Sequence, residues 1–282
     1  MTTTTTPTTT ATTDVEQILA VVAAPSSRPP RPSAISTSLT FAWRGLLKIR
    51  HVPEQLLDVT AFPLMMLLMF TFLFGGAVAG STGDYLQDVL PGIMVMQVTW
   101  ISMYTGHTLN RDITKGVHDR FRSLPIWRPA TLVGPLIADA ARYTMASAVI
   151  LGLGLALGFR PGGGLAGVVA GVGLMLVFAF SLSWAWTTVG VLMRSPEAVF
   201  GLGNMVMFPL TFVSNVFVPT ESLPGWLQAF VNVNPISILV TSVRGLMHGT
   251  PVAGEIGVVF VMSAGLIAIF GPLTMYAYRR KS

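Results

Sequence analysis

Six apolar stretches, each about twenty residues or longer, fill most of the chain beyond residue 58: about 59–80, 89–109, 132–158, 165–193, 198–218 and 254–277. A hydrocarbon core about 30 Å thick is crossed by roughly 20 apolar residues in a helix. Inside it, backbone N–H and C=O groups find partners only in a helix or a closed barrel. Runs of this length therefore predict an all-α membrane protein with six transmembrane helices. Composition agrees. Only 10% of the 282 residues are charged, against about 25% in soluble domains, so the chain cannot clothe itself in polar groups and must face lipid.

The positions of Lys and Arg orient the spans, because cytoplasmic flanks carry the basic excess. Segments placed inside hold Arg28, Arg31, Arg44, Lys48 and Arg50, then Arg111, Lys115, Arg120, Arg122 and Arg128, then Arg194, and finally Arg279, Arg280 and Lys281. Arg160 and Arg244 fall outside, and Arg142 lies within the third stretch. This places both termini in the cytoplasm of a multi-pass cell-membrane protein. The basic residues sit at span ends rather than in one patch, which argues against nucleic acid as a partner.

One further segment, 220–250, is apolar enough to suggest a seventh span. A span through Trp226–Met247 would bury Gln228, Asn232, Asn234 and Arg244, break at Pro235 and export the basic tail. Arg alone costs about 2.5–3.5 kcal/mol at a helix centre. The segment is read instead as an outer re-entrant helical hairpin.

Ahead of the spans, ten of the first thirteen residues are threonine and PSSRPPRP follows at 25–32. Residues 1–33 are read as a disordered Thr/Pro-rich cytoplasmic tail. The apolar run 18–24 is too short for a signal core and is preceded by Asp14 and Glu16, so no cleaved signal is expected. Over 34–58, Ile35, Leu39, Ala42, Trp43 and Leu46 recur at helical spacing, with Arg44, Lys48 and His51 on another face. That pattern predicts an amphipathic helix at the cytoplasmic interface, followed by a six-span permease domain over 59–282.

Catalytic chemistry finds little footing. None of the three lysines follows a glycine, so the end of a phosphate-binding loop is missing. The four histidines are scattered without metal-ligand spacing, and there is no cysteine. Asp139 is the one acid placed well inside a span, three residues before Arg142 and on the same helical face. The two are read as an intramembrane ion pair that neutralises itself. Gln97, Asn204 and Asn215 are the polar residues selected as a possible substrate path. Six methionines between Met65 and Met103 are read as packing and lipid-facing filler in preference to an adaptable binding surface.

The loop between the second and third spans, RDITKGVHDRFRSLPIWRP (111–129), concentrates charge in an oily chain. Its basic residues serve as a topology anchor. Val117, Phe121 and Leu124 also give it a short helix with an apolar edge, stopped by Pro125. Such a helix is suited to dock in a groove on a partner.

KGVHDRFRSLP resembles the cytoplasmic coupling segment of type-2 ABC exporter permeases, most closely the daunorubicin-resistance (DrrB-like) group. The resemblance continues through ADAARYTMASAVILGLGLALGFRPGG (138–163) and RSPEAVFGLGNMVMFPLTFVSNVFVPTESLPGWLQAFVNVNPISILVTSVRGL (194–246). It implies a permease with no nucleotide site of its own, working with a separate ABC ATPase that binds ATP-Mg. It further implies two permeases with two ATPases. Lys115, Gly116, Asp119, Arg120, Phe121, Arg122, Leu124 and Pro125 would couple to the ATPase. The cargo implied is an amphipathic, anthracycline-like drug. Export of a lipid or glycan, or an ATPase-independent channel or scaffold, remains an alternative from the residues alone.

Overall fold

The structure, a computed structural model, describes Thr40, Trp43, residues 53–115 and residues 130–281. Ser33–Ser282 form one compact unit. The Thr-rich tail and residues 116–129, which hold most of the expected coupling segment, lie outside the described residues. Within the expected interface helix, helical backbone is described at Thr40, at the exposed Trp43 and again from Pro53.

Every element among the described residues is helical. Helix α1 (Pro53–Met69) passes through a π-helical turn at Phe70–Phe74 into α2 (Gly75–Ala79), and Ala61–Ala79 reads as one apolar span of 19 residues. Gly80 ends it with φ 75°, a left-handed conformation that glycine adopts without Cβ strain. Helix α3 (Thr82–Thr114) starts at Ser81, whose side-chain oxygen accepts the Asp84 N–H at 3.0 Å. Helices α4 (Ala130–Leu157) and α5 (Gly164–Leu192) follow. Helix α6 (Pro196–Phe212) is capped by Ser195 with Pro196 in the first turn.

Among the described residues, four helical stretches are long and apolar enough to cross a membrane, Ala61–Ala79, Leu136–Leu157, Gly164–Leu192 and Ala253–Tyr278, and the bent pair Gly225–Val233 with Pro235–His248 makes a fifth if taken as one span. The other two expected spans take different forms. Helix α3 has 33 residues but interrupts its apolar run with Gln87, Asp88, Gln97 and Asn110. Helix α6 is 17 residues long and stops at Phe212, so the stretch expected to run to 218 ends in irregular backbone.

The segment 220–250 divides into a 3₁₀ turn (Thr220–Ser222), α7 (Gly225–Val233) and α8 (Pro235–His248), with 78° between the two α-helices. The break follows from Pro235, which drives Asn234 into extended backbone (ψ 122°) and opens α8 itself. Helix α9 (Ala253–Lys281) completes the chain and lies against α5, where the hydroxyls of Thr188 and Thr274 are 2.6 Å apart.

Helix α3 is the axis of the assembly. Residues 91–99 are all buried, although this is one of the less apolar helices. It packs on α5, α4, α8, α6 and α1. Its polar groups therefore meet protein rather than lipid, which reconciles its sequence with its place. The methionine series splits accordingly: Met94, Met96 and Met103 are buried in α3, while Met65 and Met69 face outward from α1.

Close crossings make this packing possible. A Cβ at Gly106 would overlap the Trp186 carbonyl, and one at Gly190 would overlap the Gly106 carbonyl, so α3 and α5 touch backbone to backbone. The Gly163/Gly167 pair meets the end of α8 in the same manner, and Gly163 N–H donates to Met247 O at 2.8 Å.

Candidate functional site

Polar side chains gather at the two ends of α3, with a run of aromatic rings between them. Near its Thr82 end, Pro91 cannot supply the N–H that would close the helical bond to the Gln87 carbonyl. Helix α8 fills the gap. His248 Nε2 lies 3.1 Å from Gln87 O, which makes Nε2 the donor. One turn earlier, Arg244 donates through Nε (3.1 Å) and Nη2 (2.9 Å) to Asp88 O, and through Nη2 to Asn215 O at 3.1 Å. The Asp88 carboxylate stands 4.0 Å away, so the guanidinium is held chiefly by carbonyls. Gln87 adds a bridge to the α4–α5 turn, donating to Gly158 O (3.2 Å) and accepting from Arg160 N (2.9 Å).

At the Thr114 end, α3 is bonded to three elements. Thr105 Oγ1 donates to Asp139 Oδ2 on α4 at 2.6 Å, and Arg142 Nη1 lies 2.7 Å from Asp139 Oδ1. Asn110 Nδ2 donates to Gly190 O (2.8 Å) and Met193 O (2.9 Å), carbonyls left open where α5 ends. His107 Nδ1 lies 3.3 Å from Pro196 O at the start of α6. On the first turn of α6, ahead of its apolar stretch, the Glu197 carboxyl is held below its usual range. Its own backbone N–H is the larger cause and the Ser195 hydroxyl the next. Lys115, the one expected coupling residue within the described chain, is exposed just past the end of α3.

Between these ends runs the aromatic series. Phe74 stacks on Phe70 (5.2 Å), Phe70 on Phe217 (4.3 Å), Phe217 on Phe212 (5.6 Å) and Phe212 on Phe208 (4.4 Å). Trp100 meets Phe208 edge-on at 6.0 Å, its indole N–H donating to Thr211 Oγ1 at 3.0 Å. One turn along α3, Tyr104 meets Phe200 at 5.1 Å, and His107 lies over Phe200 at 4.3 Å. Phe208 is 54% exposed and Tyr104 36%, so flat ring surface is presented outward.

The three residues selected for a substrate path do not share one surface. Asn204 is exposed on α6 between Phe200 and Phe208. Gln97 is buried within α3, and the buried Asn215 donates to Thr241 Oγ1 at 2.9 Å. Sequence reasoning missed Thr105, His107, Asn110 and His248. The legible signals were the polar interruptions of an apolar run and the interior Pro91, which demands a donor from elsewhere. It also missed Asn234, which caps α8 through Ile236 N (2.9 Å) while donating to Leu210 O and Val213 O at 2.7 and 2.8 Å.

Comparison with known proteins matches residues 38–248 to the ABC-2 type transporter family. The chain is 50% identical over 264 residues to the daunorubicin resistance ABC transporter permease protein DrrB1 of Streptomyces coeruleorubidus, covering 94% of this chain and 93% of that one. It is 27% identical to the probable doxorubicin resistance ABC transporter permease protein DrrC of Mycobacterium tuberculosis, over 78% of this chain and 80% of the other. It is 24% identical to the inner membrane transport permease YadH of Escherichia coli, over 73% and 83% of the two chains. With helices long and apolar enough to span a bilayer and similarity along nearly its whole length, the chain belongs to the ABC-2 type transporter family and is a membrane permease subunit of such a transporter.

Proposed function

We propose that this permease exports a planar amphipathic drug of the anthracycline type, driven by ATP-Mg hydrolysed on a separate ABC ATPase. The observation that carries the reading is the 50% identity, over 94% of the chain, to a permease named for daunorubicin resistance. The outward-facing rings of Tyr104, Phe208 and Phe212, backed by the half-buried Trp100 and Phe200, support it, because flat apolar molecules stack on such surfaces without demanding one hydrogen-bond pattern. Asn204 stands among those rings as a polar contact. Gln97 and Asn215 act behind them as buried framework.

In this reading two permeases and two ATPases form the exporter, and both permease termini are cytoplasmic. Helices α3 and α6 join the four apolar stretches to make six spans, because neighbouring helices shelter the polar groups of α3. The bent α7–α8 pair enters the outer leaflet and returns. The segment Lys115–Pro125, with Gly116, Asp119, Arg120, Phe121, Arg122 and Leu124, docks in the ATPase and transmits its closure. The Asp139–Arg142 pair is structural.

Co-expression with an ABC ATPase tests the reading. The wild-type permease is expected to co-purify with the ATPase and to expel daunorubicin from cells. Charge reversal at Arg120 and Arg122 is expected to remove both properties. A wild-type chain that neither retains an ATPase nor changes its ATP turnover would sink the exporter reading.

A further inference from the structure

Helix α3 runs directly into the segment assigned above to ATPase docking, so whatever its last turns grip must follow when that segment moves. We propose that Asn110 is the joint that carries this movement from α3 to the α5–α6 corner, making it a positioning residue for transport. The inference rests on the exporter reading.

Four observations converge on Asn110. It is only 1% exposed, so its amide has no access to solvent. Both of its amide hydrogens are committed, one to Gly190 O and one to Met193 O, which are the carbonyls on either side of the end of α5. Its Oδ1 has no partner among the described residues, so the side chain is held by those two donated bonds. One turn back, Gly106 and Gly190 bring the two backbones into contact, and His107 Nδ1 reaches Pro196 O at the start of α6.

A hydrophobic contact would let the helices slide, whereas two bonds from one rigid amide to two successive turns resist both sliding and rotation. The corner held in this way begins α6, the helix that carries Phe200, Asn204 and Phe208. A stroke received beyond Lys115 therefore reaches the corner that begins α6 through Asn110, ahead of the contacts that Tyr104 and Trp100 make farther back along α3. Removing the amide releases the α5–α6 corner from α3 and leaves the movement to the side-chain contacts that Trp100, Tyr104 and His107 make with α6.

The chain contains no cysteine, so one can be placed as a reporter. Ala198 is exposed on the first turn of α6. The Ala198→Cys permease, in complex with its ATPase in vesicles, is alkylated by a water-soluble maleimide with and without ATP and vanadate. The expected result is at least a threefold change in alkylation rate on trapping. Adding Asn110→Ala is expected to reduce that change below about 1.5-fold, while ATPase binding and nucleotide trapping stay within twofold. Asn110→Asp is the second variant: its ionised carboxylate repels both carbonyls and breaks the link, whereas the protonated acid donates one bond in place of two, so part of the response should return as pH is lowered. A trapping response that survives in Asn110→Ala overturns the joint, as does a control permease with no response. Loss of ATPase binding in step with the response also overturns it, because the residue would then be merely structural. A wild-type chain that recruits no ATPase overturns the exporter reading and the joint with it.

Discussion

Thr105 on α3 and Asp139 on α4 are joined by a 2.6 Å hydrogen bond inside the protein, and Arg142 closes on the other carboxylate oxygen at 2.7 Å. The two helices are the arms that enter and leave the 116–129 segment, so this bond fixes their spacing. Thr105→Val keeps the shape and removes the donor, with an expected loss of roughly 1–2 kcal/mol of stability. Asp139→Ala leaves the Arg142 cation without its partner and is expected to cost about 3 kcal/mol or more. The double variant Asp139→Ala/Arg142→Ala should be milder than Asp139→Ala alone. Thermal unfolding in detergent ranks the three, and a double variant worse than the single one would remove the ion-pair account.

The Pro91–His248 relationship makes a second prediction, in the form of a thermodynamic cycle. His248→Ala should destabilise the protein, because it strands the Gln87 carbonyl that Pro91 leaves open. In a Pro91→Ala background the helix supplies its own N–H, and the same substitution should cost less by about 1 kcal/mol. Equal costs in the two backgrounds would show that His248 is not serving that carbonyl.

Glycines at helix crossings and glycines on open faces should respond in opposite directions. Gly106→Ala and Gly190→Ala drive a methyl into the facing backbone, and overpacking of this kind costs about 1–3 kcal/mol or more. Gly173 and Gly201 have no atom within 4 Å of an added Cβ, and alanine there is expected to stabilise by up to about 1 kcal/mol through helix propensity. Melting temperatures of the four variants suffice to check the sign at each site.

For the aromatic surface, Phe208→Ala and Phe200→Ala are expected to lower daunorubicin efflux about tenfold, with ATPase co-purification unchanged. Aromatic stacking depends on the ring, so Phe208→Tyr should retain most of the efflux. An alanine variant with undiminished efflux would move the drug path away from α6.

The helices were largely legible because apolar runs of about 20 residues admit few structures in lipid. Residues 165–193 were read within a residue or two of α5, and Asn234–Pro235 was read as a break. The failures have a common cause. Apolarity marks the span limits, yet α3 continues through Tyr85, Gln87 and Asn110 because backbone carbonyls of the 213–218 stretch, the α4–α5 turn and the end of α5 receive those side chains. Conversely, 213–218 falls within an expected span but is not helical. Asn234 takes the Leu210 and Val213 carbonyls and so ends α6 from outside it. Partners distant in sequence decide these ends, and no local pattern reports them. The same limit hid Asn110, which as a lone polar residue near a span end looks like an ordinary boundary.

The burial of α3 also bears on how the protein is made. As one of the less apolar of the long helices, it is poorly suited to partition into lipid alone, yet it is synthesised before α5, the helix that lies closest along it. Until the end of α5 emerges, Asn110 lacks both of its acceptors, and the turn broken at Pro91 waits longer, for His248 on α8. The early segments must therefore wait at the insertion machinery, or be shielded by it, until residue 193 and the rest of the α5–α6 corner have been synthesised. A nascent chain halted in the α4–α5 turn would present an unsheltered polar helix to membrane proteases, one halted after α5 would shelter the Asn110 end, and only one extending past His248 would also close the turn at Pro91.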